Sequence, residues 1–246
     1  MTGIVETSVF QRIFTTIDTA VVMGQNAAII GAAGVGKTTA LNAYTRDGIR
    51  IARLTMNQSI ARSMREILHS LCDAMDVPAW RGDSHKDLKS FTERYYVGDW
   101  LIIIDEAQML PYDKLRDLLS FSPTDGGPLM FVFCSNEDVI KQVNTDRGAL
   151  AQNARRIKYR AEINAIEDDD SDILSNSFGV EGLDAYEAMR AIGKRFHADG
   201  VVDVLNLARR LAKHETIKRQ HILDALDSLT QYRSTLEPKR VRRRAG

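Results

Sequence analysis

The residues that most restrict what this chain can become are Gly31-Ala-Ala-Gly34-Val35-Gly36-Lys37-Thr38, entered from the apolar run Ala27–Ile30. A short apolar run, a glycine-rich turn and then Thr38–Arg46 at helical spacing read as buried strand, tight turn and helix. The spacing fits G-x-x-x-x-G-K-[ST]. Glycines let successive backbone N–H groups curl round phosphate oxygens, and the helix that follows adds its dipole. Lys37 is then placed to bridge the β- and γ-phosphates of ATP, and the Thr38 hydroxyl to ligate Mg²⁺. Gly31, Gly34, Val35, Gly36, Lys37, Thr38 and Thr39 are the candidate nucleotide contacts. The competing reading is a turn that only packs a helix on a sheet.

A second feature lies 68 positions beyond Lys37, where Trp100-Leu-Ile-Ile-Ile104 runs into Asp105-Glu106. A fully apolar run of this length suits a strand buried on both faces of a parallel sheet. In open α/β sheets, ligands bind at the carboxyl ends of strands. Asp105 is placed there to hold Mg²⁺ through water, and Glu106 to orient and polarise an attacking water. An acidic pair alone also caps helices; its pairing with the glycine loop gives it meaning. Asp-Glu favours hydrolysis over transfer to an acceptor hydroxyl.

The same alternation fills out the chain. Ser8–Val22 is an amphipathic helix, Ile49–Met56 a strand and Ser59–Met75 a helix with Ile60, Met64, Ile67, Leu68, Leu71 and Met75 on one face. Helices are expected at His85–Tyr96, Lys114–Phe121, Asp138–Val143 and Ala149–Arg155, strands at Leu129–Cys134 and Ile157–Ile163, and a loop at Ser122–Pro128. Strands alternating with helices give a doubly wound α/β domain over residues 1–163. Beyond it the pattern is all helix: Asp168–Ser177, Leu183–His197, Val201–Lys213 and Ile217–Arg233, a second domain at 164–235. The acidic run Glu167–Asp172 reads as a solvated first helical turn.

Composition excludes several classes. With 44% hydrophobic and 27% charged residues the chain carries enough apolar material for a core. Its apolar runs are strand-length, not the ~20 residues of a membrane-spanning helix. Cys72 and Cys134 are too few for a disulfide framework, and the first residues carry no secretory pattern, which points to the cytoplasm. Positive and negative side chains balance at 33 each, yet Glu237–Gly246 holds five basic residues and one acidic, leaving the rest at a net of −4. Lys239, Arg240, Arg242, Arg243 and Arg244, in a basic tail at 236–246, are therefore candidate contacts for a polyanion such as DNA; the plain alternative is a solvated end.

Two further polar positions stand out. Asn136 follows the apolar strand Leu129–Cys134, where its amide suits the water beside a γ-phosphate, and suits equally the N-cap of the next helix. Arg155 and Arg156 close a short helix before the last strand. An arginine there reaches a neighbouring subunit's γ-phosphate or simply complements a helix C-terminus.

The glycine loop, Asp105-Glu106, Asn136 and Arg156 in this order, followed by a helical domain, resemble the AAA+ ATPases over Ser8 to Tyr232. GAAGVGKTTAL, IIIDEAQML and NARRI are most similar to the phage Mu B and TniB-type DNA transposition ATPases, with ExeA-like proteins sharing DEAQ-L. The resemblance implies a five-stranded core in order 5-1-4-3-2 with a helical lid, and an ATP site shared between subunits. Asp105 and Glu106 then match Walker B, Asn136 sensor 1, and Arg156 (or Arg155) the arginine acting in trans. It also implies homo-oligomers or filaments on duplex DNA and a transposase partner, in the bacterial host cytoplasm for a phage- or transposon-encoded protein. A helicase loader or replication initiator and an ExeA-like ATPase that ignores DNA are the alternatives. One departure is Asp203, which stands where many lids carry a sensor-2 arginine.

Overall fold

A computed structural model describes residues 4–78, 99–122, 129–136, 156–213 and 215–232. The helices expected at His85–Tyr96, Asp138–Val143 and Ala149–Arg155, most of the loop 122–128, Arg155 and the basic tail lie outside the described residues. The chain divides into two compact units. One covers residues 10–33 and 37–164; the other gathers residues from 165 onward with the segment up to Val9 and Gly34–Gly36.

The first unit is built on five strands: β1 (Asn26–Gly31), β2 (Arg50–Thr55), β3 (Trp100–Asp105), β4 (Leu129–Ser135) and β5 (Ile157–Ile163). They pair in the order β2-β3-β4-β1-β5, every pair parallel. This is the expected order, read from the opposite edge. Every residue of β1, β3 and β4 is buried, which explains why these segments are apolar between their end residues rather than alternating. Edge strand β2 keeps only Ala52 and Leu54 buried. Helices α1 (Ser8–Val22), α2 (Lys37–Ala43), α3 (Met64–Ala74) and α4 (Tyr112–Phe121) accompany the sheet. Ile67, Leu68 and Leu71 of α3 join Ile102, Ile104, Phe131 and Phe133 in one core cluster.

The single helix expected over Ser59–Met75 is two pieces. A 3₁₀ turn at Ile60–Arg62 ends at Ser63, whose extended backbone lets its hydroxyl accept from the Glu66 N–H at 3.2 Å. That is an N-cap. At the amino end of β1, Asn26 is buried and does backbone work. Its Oδ1 accepts from Phe131 N–H (2.9 Å) on β4, and its Nδ2 donates to the Arg156 carbonyl (3.0 Å) beside β5. The β1–β5 register shifts at that residue, so the amide satisfies groups the ladder leaves over.

The second unit holds α5 (Asp168–Ser177), α6 (Leu183–Leu211) and α7 (Arg219–Ser228). Two helices were expected where α6 runs as one element, but its backbone breaks at His197, with φ 57° and ψ −156°. Gly200 is needed for packing: a Cβ there would sit 2.4 Å from Phe196 Cβ. The last helix is shorter than the expected Ile217–Arg233, because Ile217 forms a parallel bridge with Val180 instead. The acidic run does open α5, with Glu167 and Asp169 exposed, yet it is not solvated throughout. Asp170 is completely buried and accepts from Ser8 N–H (2.6 Å), Ser8 Oγ (2.8 Å) and Glu167 N–H (3.0 Å). Asp168 and Asp172 pair with Lys194 and Arg190.

Candidate nucleotide site

The glycine loop leaves the carboxyl end of β1 under tight steric control. A Cβ on Gly31 would lie 2.0 Å from the Ile163 carbonyl oxygen of β5, so no side chain fits. That same oxygen accepts the Ala32 N–H at 3.0 Å. Gly34 and Gly36 adopt φ of 79° and 99°, a region that L-residues enter at a cost. Val35 between them is buried. Lys37 opens α2 and folds its ammonium back over the loop, donating to the carbonyls of Gly31 (2.9 Å) and Ala32 (2.8 Å). Thr38 and Thr39 follow in the first turn of α2, both exposed.

Behind this helix, Arg53 of β2 donates through Nε to the Leu41 carbonyl (3.1 Å) and through Nη2 to the Tyr44 carbonyl. Those are the carbonyls a helix leaves unpaired at its C-terminus. The buried Tyr44 hydroxyl donates to Asp18 at 2.8 Å. Burial, reinforced by that carboxylate, pushes the Tyr44 phenol up to about 12.

The two motifs meet. Thr38 Oγ1 donates to Asp105 Oδ2 at 2.7 Å, while Asp105 Oδ1 accepts the Glu106 backbone N–H at 2.9 Å. Asp105 is the last residue of β3 and is buried; Glu106, one residue on, is exposed. Glu106 adopts φ 55°, ψ 37° and leads into a 3₁₀ turn at Ala107–Met109. Its Oε2 accepts a bond from Gln108 Nε2. On β4, Cys134 is fully buried beside the Asp105 carboxylate. Burial, with the charge of Asp105 as a lesser cause, pushes its thiol upward, so it stays protonated.

Thr38 and Asp105 present hydroxyl and carboxylate oxygens, the hard donors that suit Mg²⁺. Among the described residues no cluster of three His, Cys, Asp or Glu could hold a metal unaided, so waters and phosphate oxygens would complete the coordination. Asn136 follows Ser135, half-buried. Since β4 lies between β1 and β3, Asn136 is carried at the strand end between the two motifs.

Arg156 is not brought to this edge. It precedes β5, whose Ile157 pairs with Asn26 at the start of β1. A strand of six residues separates it from the loop, roughly 20 Å. Its Nη1 donates to the Leu119 carbonyl at 2.8 Å. In the helical unit, Asp203 accepts the Tyr232 hydroxyl at 2.8 Å. Sequence reasoning assigned no place in the site to Gln108 or Cys134. Gln108 offered one signal, a polar side chain two residues past the carboxylate; Cys134 was hidden in an apolar strand.

An AAA domain is matched over residues 23–139. The Mu-like prophage FluMu DNA transposition protein B of Haemophilus influenzae is 26% identical over 196 residues, covering 76% of this chain and 66% of that protein. The ATP-dependent target DNA activator B of Escherichia phage D108 is 28% identical over 239 residues, covering 92% of this chain and 73% of that one. The chain thus spans about two thirds to three quarters of the length of these relatives. In fold it is similar to the ORC2 protein of Aeropyrum pernix, solved in ADPNP–ADP complexes, with a TM-score of 0.64 and 18% identity over 89% of this chain and 67% of that one. With the sheet order and the paired motifs in hand, the likeness is specific enough to say that the chain is an AAA+ ATPase similar in sequence to the Mu-type B proteins.

Proposed function

We propose that this ATPase binds duplex DNA with little sequence preference, assembles on it while ATP is bound, and regulates transposition by choosing target sites and activating a transposase. The observation that carries the nucleotide chemistry is the 2.7 Å bond between Thr38 and Asp105, which joins the two halves of the site. Lys37 would bind the β,γ-phosphates and the loop 31–39 would wrap them with backbone N–H groups. Mg²⁺, held by Thr38 and Asp105, would supply charge neutralisation on the phosphates. Glu106 would orient and polarise the water, with Asn136 beside it. The likeness to a target DNA activator supports the DNA half.

Arg156, roughly a strand's length from its own loop, suits delivery to a neighbouring subunit, with Arg155 as the near substitute. Such a site stabilises assembly only while a γ-phosphate is present, and DNA offers a repeating row of phosphates to successive subunits. The division at 163/164, the helical lid to residue 235 and a DNA-contacting tail from 236 complete the proposal. A bacterial cytoplasm is its setting. Among the described residues no helix is long and apolar enough to cross a membrane.

Electron microscopy with duplex DNA and a slowly hydrolysed ATP analogue tests this. Helical arrays that disappear with ADP, fail in Arg156→Ala and weaken on deletion of Glu237–Gly246 are the expected result. The deletion should flatten the log–log salt dependence by up to about 4.5. Discrete particles indifferent to duplex DNA would overturn the DNA reading and point to a loader-type or DNA-independent ATPase.

A further inference from the structure

We propose that Gln108 is a positioning residue for hydrolysis: its side-chain amide grips one carboxylate oxygen of Glu106 and so aims the other at the attacking water. The proposal rests on the reading of Glu106 as the water-orienting carboxylate.

The geometry has three parts. Glu106 leaves β3 in a left-handed conformation, and Met109 N–H then closes on the Glu106 carbonyl at 2.9 Å. Residues 107–109 are thereby wound into a 3₁₀ turn that sets the Gln108 side chain beside that of Glu106. Gln108 Nε2 donates to Glu106 Oε2. The amide cannot be reversed in place, because its carbonyl oxygen would then face a carboxylate, acceptor against acceptor.

Gln108 also keeps this bond at a cost. Its Oε1 is buried with no hydrogen-bond donor among the described residues. A pair that met only by chance on the surface would turn that oxygen to water. Instead the exposed partner, Glu106, is held by a residue that is itself half-buried.

A glutamate with both oxygens free rotates about its terminal bonds and presents a smeared acceptor. Fixing Oε2 leaves Oε1 as the single directed acceptor. Precise placement of a reacting group by a hydrogen-bonded neighbour is what converts a nearby carboxylate into an effective one. Gln108 need never touch nucleotide or water to act in this way.

The test compares full-length wild type, Gln108→Ala, Gln108→Glu and Glu106→Gln by steady-state ATPase, binding of a fluorescent ATP analogue and thermal melting. Gln108→Ala should lower kcat about tenfold with KM and analogue affinity unchanged. Gln108→Glu, isosteric but repelled by Glu106, should fall further. In a Glu106→Gln background, Gln108→Ala should change the residual single-turnover rate less than twofold, because its effect passes through the carboxylate.

A wild-type or raised kcat in Gln108→Ala overturns the proposal. So does a full tenfold loss in the Glu106→Gln background, or a loss that appears in KM and affinity instead. If Gln108→Ala does not fold, Gln108→Glu carries the same comparison. Wild-type turnover by Glu106→Gln would sink the underlying role of Glu106. An inactive Glu106→Gln beside a normal Gln108→Ala would sink only the role of Gln108.

Discussion

The carboxyl ends of β1 and β3 solve the same problem in opposite ways. After β1 the chain must bend sharply, and glycine takes each demanding position: no room for a Cβ at Gly31, positive φ at Gly34 and Gly36. After β3 the chain also bends sharply, yet the residue at φ 55° is Glu106. A left-handed conformation costs an L-residue about 1–2 kcal/mol. Where backbone N–H groups are the proposed ligand, side chains are dispensable and the strain is removed. Where a carboxylate is the proposed reagent, the side chain stays and so does the strain.

The largest expected effect breaks the two ends apart functionally. Lys37→Ala should weaken ATP binding roughly 100-fold, since charge-assisted bonds to phosphate are lost. Glu106→Gln should leave the Kd within about threefold and lower turnover by 100-fold or more. Titration with a fluorescent ATP analogue beside a phosphate-release assay separates them. Loss of binding in both variants would erase the distinction.

Stability sharpens the contrast. Glu106→Gly should be more stable than Glu106→Ala by about 1 kcal/mol, because only alanine keeps the left-handed penalty. Gly36→Ala should move the other way by a similar amount, since open space around it leaves only the backbone to object. Shifts of about 2–4 °C in Tm are the readout. Equal melting of Glu106→Gly and Glu106→Ala would mean that Glu106 is not strained.

The smallest effect concerns the support behind α2, the helix that continues the glycine loop. Tyr44 has its pKa raised to about 12, mainly by burial and then by Asp18. The fold therefore favours the neutral phenol. That contribution is whole below pH 10 and is lost as pH rises from 10 to about 12. The urea midpoint of wild type should fall more across that window than that of Tyr44→Phe; parallel curves would contradict the assignment.

What could be read from the sequence followed the range of the interaction. The β1 turn and the buried strands were legible because glycine spacing and apolar runs are local, whereas the sheet order came only with the family resemblance. The break at Ser63 was not, since Ile60, Met64 and Ile67 keep helical spacing across it. Nor was the burial of Asp170, whose partner Ser8 lies 162 positions away. Glu106 was legible by position, but Gln108 required the turn between them. Arg156 was singled out by its place before β5; its bond to Leu119 is a tertiary fact that no spacing announces.

Strand order also sets a timetable for synthesis. β1 is flanked by β4 and β5, so its partners begin about one hundred residues after it ends. Contacts this distant in sequence close late, because a long loop must be ordered before they form. On the ribosome, the glycine loop would emerge early and wait in a chain without its neighbours. The Ile163 carbonyl that forbids a side chain at Gly31 is made 132 residues after that glycine. A nascent chain stalled before residue 163 clears the exit tunnel should therefore fail to retain ATP, although Lys37 and Thr38 were translated long before.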